Sequence, residues 1–205
     1  MFHVIFCILK NHISKCCFIY VGLKSSSQSN VIVAMDTSVD VSMQTLQNMR
    51  KFAKNLIKML TVSSRNTKLS LLTYGDSAKE IVDNVENEES FLQGLGNAVT
   101  IGGQRKLKSV LDLIQKKNLQ NAKDTLLILL VAGPGSLTER PLLTTSGYEL
   151  RSKGITVKVY GIGNTYIPDE LLQITGGDPI KDADDLPSVV DDVDSDIGGV
   201  FGKLS

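Results

Sequence analysis

Apolar runs of strand length alternate with amphipathic segments of helix length from Asn30 onward. The first run, Val31 to Met35, is apolar at every position, as a strand buried on both faces must be. In the next segment, Met43 to Leu60, apolar residues recur at spacings of three and four, which gives a helix one apolar stripe. This alternation builds a mostly parallel sheet covered on both faces, so we predict a doubly wound α/β fold.

One connection breaks the parallel pattern. Strand-like residues 68–74 and 78–85 are separated only by Gly75, Asp76 and Ser77. A parallel crossover takes a dozen or more residues, so these two strands must form an antiparallel hairpin at a sheet edge. The sequence therefore predicts a mostly parallel, six-stranded sheet with one antiparallel edge strand.

Further helices and strands are predicted along the rest of the chain. They are helices at 88–95 and 106–117, a strand at 125–131, a helix at 141–152, a strand at 155–161, a helix at 168–174, a strand near 179–183 and a final helix from 186. Neither an internal repeat nor a linker interrupts them. We therefore predict one domain over residues 30–205, preceded by a separate segment at 1–29.

The segment 1–29 contains two short apolar runs, a basic stretch between them and a serine-rich end. Neither apolar run approaches the ~20 residues that span a bilayer, so we predict no membrane span. The order of the features favours a secretory signal peptide, cleaved between Ser25 and Ser29. The alternatives are an extra element packed on the domain and a segment that does not belong to the mature protein.

The charge balance and the positions of histidine and cysteine exclude several functions. Lys plus Arg equals Asp plus Glu, 22 against 22, so no global field attracts nucleic acid or anionic lipid. Both histidines and all three cysteines precede Lys24. A hydrolase with a histidine base and a zinc site of cysteine and histidine are thus excluded from the domain, and we predict a non-enzymatic protein.

The order of the apolar runs and turns resembles the von Willebrand factor type A (VWA) family. The matching segments are Val31 to Asp40 (VIVAMDTSVD), Thr67 to Tyr74 (TKLSLLTY), Ile101 to Gly103, Leu127 to Gly133 (LILLVAG), Gly154 to Gly163 (GITVKVYGIG) and Pro168 to Leu172. They cover nearly all of 30–205 in the family's order. These segments most resemble those of the extracellular matrix branch of the family, which includes collagen-associated and matrilin-type domains. This resemblance implies an adhesion module that binds another protein.

The resemblance also implies a position for a metal-ion-dependent adhesion site (MIDAS). In the family, the loops after the first and fourth strands and the loop before the third helix supply Asp-x-Ser-x-Ser, an aspartate and a threonine, respectively. This chain keeps part of that pattern. Its counterparts are Asp36, Ser38, Asp40 in place of the second serine, Gln104 and Arg105 in place of the threonine, and Ala132 in place of the aspartate.

These departures leave two alternatives for the site. A compensated site would bind Mg²⁺ or Mn²⁺ through Asp36, Ser38, Asp40 and Gln104, since Mg²⁺ takes about six oxygen ligands. Ala132 supplies no side-chain oxygen, and the Arg105 charge opposes a cation. The second alternative, a vestigial site without metal, is therefore favoured, and no cofactor is certain.

The same loops are predicted to bind the protein partner. They contribute Thr37, Gly102, Gly103, Arg105, Ala132 and Gly133 in addition to the ligand candidates. The resemblance implies a secreted or cell-surface protein with a matrix protein as its partner. An intracellular VWA scaffold in a multiprotein complex is the alternative, because residues 30–205 contain neither a cysteine nor an Asn-x-Ser/Thr sequon.

Overall fold

The computed structural model describes residues 29–63, 67–100, 102–119, 125–163, 165–177 and 181–182. Strands and helices alternate through these residues as the sequence predicts. In chain order they are β1 (Ser29–Asp36), α1 (Met43–Ser63), β2 (Thr67–Tyr74), β3 (Ala78–Val85), α2 (Glu88–Asn97), α3 (Leu107–Lys116), β4 (Thr125–Val131), α4 (Arg140–Ser152), β5 (Thr156–Gly161), α5 (Pro168–Thr175) and β6 (Lys181–Asp182).

The strands form one sheet in the order β3-β2-β1-β4-β5-β6. β1 pairs in parallel with β2 and β4, and β5 continues the parallel pairing to a two-residue β6. Only β3 runs antiparallel among the described strands, as the three-residue connection to β2 requires. The predicted doubly wound, mostly parallel sheet with one antiparallel edge is confirmed, with five full strands and a minimal sixth.

The two central strands are buried on both faces of the sheet. Alternate residues of β1 serve two core layers, with Val31, Val33 and Met35 in one layer and Ile32 and Ala34 in the other. The first layer lies under α1 and α2, and the second lies under α3, α4 and α5. All residues of β4 are buried as well, which explains why both strands are continuously apolar in sequence.

β3 is the exposed edge of the sheet. Its pairing with β2 has register shifts next to Leu71, and Asn84 adopts a left-handed φ of 51°. The side chains of Glu80 and Asp83 both accept hydrogen bonds from the Nζ of Lys117, which follows the last residue of α3 (Lys117 Nζ to Asp83 Oδ1, 2.6 Å). The edge strand is therefore irregular in its backbone and charged in its side chains.

Two predictions fall outside the described residues. They are the signal peptide within 1–29, of which only Ser29 is described, and the final helix from residue 186. Within the described residues, no helix combines the length and the apolar character needed to cross a membrane.

Candidate functional site

The loops that follow β1 and β4 meet at the carboxyl edge of the sheet. β1 and β4 are parallel neighbours, yet the chain leaves β1 toward β2 on one side and reaches β4 only after α2 and α3. The direction of winding thus reverses between these two strands, which is where doubly wound sheets bind ligands. The connection from α2 to α3, residues 98–106, reaches the same edge.

Asp36 ends β1 and is fully buried at this edge. Its Oδ1 accepts hydrogen bonds from the backbone N–H of Ser38 at 3.0 Å and from the Ser38 hydroxyl at 2.7 Å. Its Oδ2 accepts one from the backbone N–H of Ala132 at 3.2 Å, just beyond the end of β4. Both carboxylate oxygens are therefore engaged by the protein itself.

The guanidinium of Arg105 is buried against the same carboxylate. Its Nε donates to Asp36 Oδ2, and its Nη1 donates to the carbonyl oxygen of Pro134 at 2.8 Å. Within the described residues, Nη2 has no hydrogen-bond partner. Arg105 thus joins the loop before α3 to the end of β1 and to the loop after β4.

Gly133 makes room for this guanidinium. A Cβ at Gly133 would lie 2.7 Å from Arg105 Nη1 and 3.0 Å from its Cζ, closer than real Cβ contacts allow. Because any side chain at this position would displace the guanidinium, glycine beside Ala132 is part of the same arrangement as Arg105.

Backbone hydrogen bonds fix the loop that carries Arg105. The N–H of Gly102 donates to the carbonyl of Thr37 at 3.2 Å, and the N–H of Val39 donates to the carbonyl of Gly103 at 3.0 Å. Both glycines have a positive φ, 86° and 77°, which other residues adopt only with strain. The Gly-Gly pair therefore permits the turn that directs Arg105 inward.

Asp76, in the β2–β3 turn, holds the same loop from its other side. Its carboxylate accepts the backbone N–H of Gln104 at 3.1 Å and pairs with the ammonium of Lys106 at 3.2 Å. The Lys106 hydrogen bond, followed by that of Gln104, lowers the pKa of Asp76 below its usual value. Sequence reasoning missed this role, although an acidic residue in a turn at the ligand-binding edge is a usable signal.

A buried tyrosine lies beside the ion pair. Tyr74 ends β2, its Cα pairs in register with that of Asp36, and its hydroxyl donates to the carbonyl of Leu130 at 2.9 Å. Burial, reinforced by the negative charge of Asp36, raises the pKa of Tyr74 well above its usual value. The phenol therefore stays protonated and serves as a hydrogen-bond donor between β2 and β4.

A second buried carboxylate, Glu170, supports the loop after β4. It lies in the first turn of α5, accepts the backbone N–H of Gly135 at 3.2 Å and forms an ion pair with Arg140 at 3.5 Å. Its Oε1 has no hydrogen-bond partner in the described part of the chain. The sequence signal was an acidic residue in the first turn of a helix, which sequence reasoning did not use.

The structure divides the predicted site residues into a buried group and an exposed group. The buried group is Asp36, Thr37, Ser38, Arg105, Ala132 and Gly133. Gly102 and Gly103 are half-buried, whereas Asp40 and Gln104 are exposed. Across the described residues, no hydrogen bond or ion pair joins the side chain of Asp40 or Gln104 to Asp36. Metal binding by the four predicted ligands stays a prediction; these are Asp36, Ser38, Asp40 and Gln104.

The donors at this site do not fit a divalent cation as they are arranged. Mg²⁺ takes about six oxygen ligands, but Ala132 presents an N–H group and both Asp36 oxygens already accept hydrogen bonds. A divalent ion ~4 Å from the Arg105 charge would be repelled by roughly 8 kcal/mol, twice the value for unit charges at an effective dielectric constant of 20. The arrangement suits the guanidinium instead.

A doubly wound domain with its polar loops at the switch point has the architecture of the α/β domains that bind ligands at this edge. More specifically, the family model of the von Willebrand factor type A domain matches residues 30–195. The chain therefore belongs to the VWA family, as the sequence resemblance implied. Among curated proteins, none matches the sequence.

Solved structures agree on the fold. Proximal thread matrix protein 1 from the mussel byssus superposes with a TM-score of 0.70 at 20% identity, over 81% of this chain and 47% of that one. The same protein with a zinc-occupied MIDAS motif gives 0.67 at 18% identity, over 81% and 44%. A von Willebrand factor type A protein from Catenulispora acidiphila gives 0.64 at 15% identity, over 86% and 43%. The chain spans less than half the length of these structures.

Proposed function

We propose that this domain is a non-enzymatic module that binds another protein through the loops at the carboxyl edge of its sheet. Membership of the VWA family supports the proposal, because VWA domains are in general protein-interaction modules. The position of the loops supports it too, since ligands of doubly wound sheets bind at this edge.

The observation that carries the proposal is a set of exposed apolar side chains on the segments that meet at this edge. We call this set the apolar rim. It consists of Val39, Met43, Val99 and Leu137, which are 65%, 65%, 62% and 71% exposed. Single exposed apolar residues are common on protein surfaces, but several on neighbouring segments at one edge of the sheet favour an interaction site there.

The chemistry of the edge favours apolar contacts over ionic ones. The charges of Asp36 and Arg105 are buried and neutralise each other, so neither is presented to a partner. Burying one large apolar side chain fully is worth about 1.5–3 kcal/mol. Several members of the apolar rim, covered together by a partner, would therefore contribute several kcal/mol to a complex, on the order of the sum of such values.

We further propose that the domain works in the extracellular matrix or at the cell surface. Its likeness to a byssus matrix protein supports this location. The test is expression of the full chain with a C-terminal tag, followed by measurement of the tag in medium and in cells. Recovery in the medium is the expected result. Retention in the cytosol, in stable association with other proteins, would instead support an intracellular VWA scaffold.

The binding proposal is tested with the full chain on a biosensor surface carrying purified collagens and other matrix proteins. We expect saturable binding to at least one of them. Changing Val39 and Leu137 together to aspartate should weaken that binding about 30-fold or more, or ~2 kcal/mol, because two apolar contacts are lost and each new carboxylate would have to be desolvated.

Tyr148→Asp is the matched control. Tyr148 is 66% exposed, as exposed as the members of the apolar rim, but it lies within α4, away from the loops. This variant should bind like the wild type. Equal loss of binding in both variants, or no binding to any matrix protein, would contradict the proposal.

A further inference from the structure

The position that the family gives to a divalent ion lies next to a side chain with a permanent charge. Arg105 is 4% exposed, and its guanidinium donates to Asp36. Of the two aspartates in the family pattern, Asp36 is the one that this chain keeps. A guanidinium is a planar cation with five N–H donors, so it can contact a carboxylate and a backbone carbonyl at the same time.

We propose that the buried guanidinium of Arg105 replaces the divalent ion of the family as the positive charge that holds these loops together. A metal in this family links the loops after the first and fourth strands and the loop before the third helix. Arg105 makes the same links through Asp36 on one side and the carbonyl of Pro134 on the other. The domain therefore keeps its loops in place without any divalent ion.

Two departures from the family pattern, Arg105 and Ala132, form one compensated change, and a third, Asp40, lies outside it. Where the family has an aspartate, Ala132 has no carboxylate, so Asp36 is the one carboxylate that accepts a hydrogen bond from the Arg105 guanidinium among the described residues. Gly133, next in the chain, is small enough to let the guanidinium lie there. The carboxylate of Asp40, which stands at a family serine, is exposed and forms no hydrogen bond or ion pair with Asp36 or Arg105 among the described residues.

Gln104 and Arg105 both stand near the position of the family threonine, but only the side chain of Arg105 points into the site. Gln104 donates its backbone N–H to Asp76, and its side chain is exposed, whereas Arg105 is buried. Because its side chain is the buried one of the two, Arg105 is the spatial counterpart of the family threonine. Restoring the family pattern therefore requires a change at Arg105, and a change at Gln104 serves as its control.

The test measures the response of the full chain to Mg²⁺ and Mn²⁺ by calorimetry and thermal unfolding. For the wild type we expect no saturable heat up to about 10 mM of either ion, above the millimolar range of weak extracellular sites. The Tm should shift by less than ~1 °C with the ions or with EDTA. Saturable binding that raises the Tm and is lost in Asp36→Ala would overturn the proposal.

A variant with Arg105→Thr, Ala132→Asp and Asp40→Ser restores the family pattern. We expect it to bind Mn²⁺ saturably. With a Kd of ~0.1 mM, about 10 mM ion should raise its Tm by roughly 5–10 °C. The control keeps Arg105 and changes Gln104→Thr with Ala132→Asp and Asp40→Ser, and it should not respond.

The comparison separates the possible results. A folded triple variant without ion binding, or a Gln104 control that binds as well, would show that Arg105 is not what replaces the ion. If the triple variant does not fold, the Arg105→Thr, Ala132→Asp double variant takes its place, and the wild-type titration decides by itself whether the native site binds metal. None of these results depends on the binding of a protein partner, so the proposed function is tested separately.

Discussion

The two ends of α3 carry ion pairs of the same kind in opposite surroundings. Just before the helix, the side chains of Arg105 and Asp36 are 3% and 0% exposed. Just after it, Lys117, whose side chain is 12% exposed, pairs with Glu80 and Asp83, whose side chains are 34% and 43% exposed. Water reaches the two carboxylates of the second set and is largely excluded from both partners of the first. The same pairing of charges therefore has very different consequences for stability.

A buried ion pair persists mainly because breaking it is costly. Forming such a pair from hydrated charges yields little net stability, but removing one partner leaves the other charge buried and unpaired. An exposed carboxylate that loses its partner is simply hydrated.

Arg105→Met should lower the free energy of unfolding by about 3–5 kcal/mol, because Asp36 is left buried without its counter-charge. Urea denaturation of the full chain measures the loss. The double variant Arg105→Met, Asp36→Asn should recover a large part of it, since no buried charge remains. A loss below ~1 kcal/mol for the single change would mean that the guanidinium does not neutralise Asp36 in solution.

Gly133→Ala should destabilise the domain by roughly 1–3 kcal/mol, the range for overpacking a close-packed site. The new Cβ meets the guanidinium of Arg105. The same change in an Arg105→Met background should cost much less, because the flexible methionine can move away. Equal costs in both backgrounds would show that the glycine serves another purpose.

Lys117→Met should cost no more than about 1 kcal/mol in the same measurement, because the released carboxylates face water. The difference between wild type and variant should shrink at 1 M salt, where the Debye length is about 3 Å. A loss as large as that of Arg105→Met would contradict the contrast between the two ends of α3.

Asp76→Asn should give the smallest effect, because Asp76 is exposed. Its pKa is lower in the folded state, so its carboxylate stabilises the fold above the unfolded-state pKa near 4. That contribution is lost as the pH falls through the lower folded-state pKa. Urea denaturation of wild type and variant should thus show a slight difference in stability at pH 6, and this difference should shrink as the pH is lowered below about 4. A difference that persists at the lower pH would require a cause other than ionisation of Asp76.

The strands were predictable because their burial leaves a direct trace in the sequence. The bounds of β3 and β4 agree with the sequence prediction to the residue, and the antiparallel hairpin followed from the length of its connection. Helix ends were predicted less closely, as for α2, which extends to Asn97 rather than residue 95. An apolar pattern identifies which face of a helix is buried and says less about where the helix ends.

The candidate site was predictable only in part. Asp36 and Ser38 are two residues apart, so their contact is local. The sequence also indicated that Arg105 opposes a cation. The inward direction of Arg105 depends on the positive φ of Gly103 and on the anchoring of Gln104 by Asp76, 28 residues earlier in the chain. The direction of a long side chain depends on the backbone conformation at its residue. Contacts between residues far apart in the chain, which fix that conformation here, leave no periodic signal in the sequence.

The irregular edge at β3 bears on how such a domain behaves at high local concentration. An exposed strand offers unpaired N–H and C=O groups on which another chain can add as a further strand, the first step toward fibrous aggregates. The register shifts beside Leu71 and the left-handed Asn84 interrupt that template, and the ion pairs of Glu80 and Asp83 with Lys117 line this edge with charged side chains that an added strand would have to desolvate. At this edge the sheet therefore resists growth between molecules, which keeps crowded copies from polymerising through their strands.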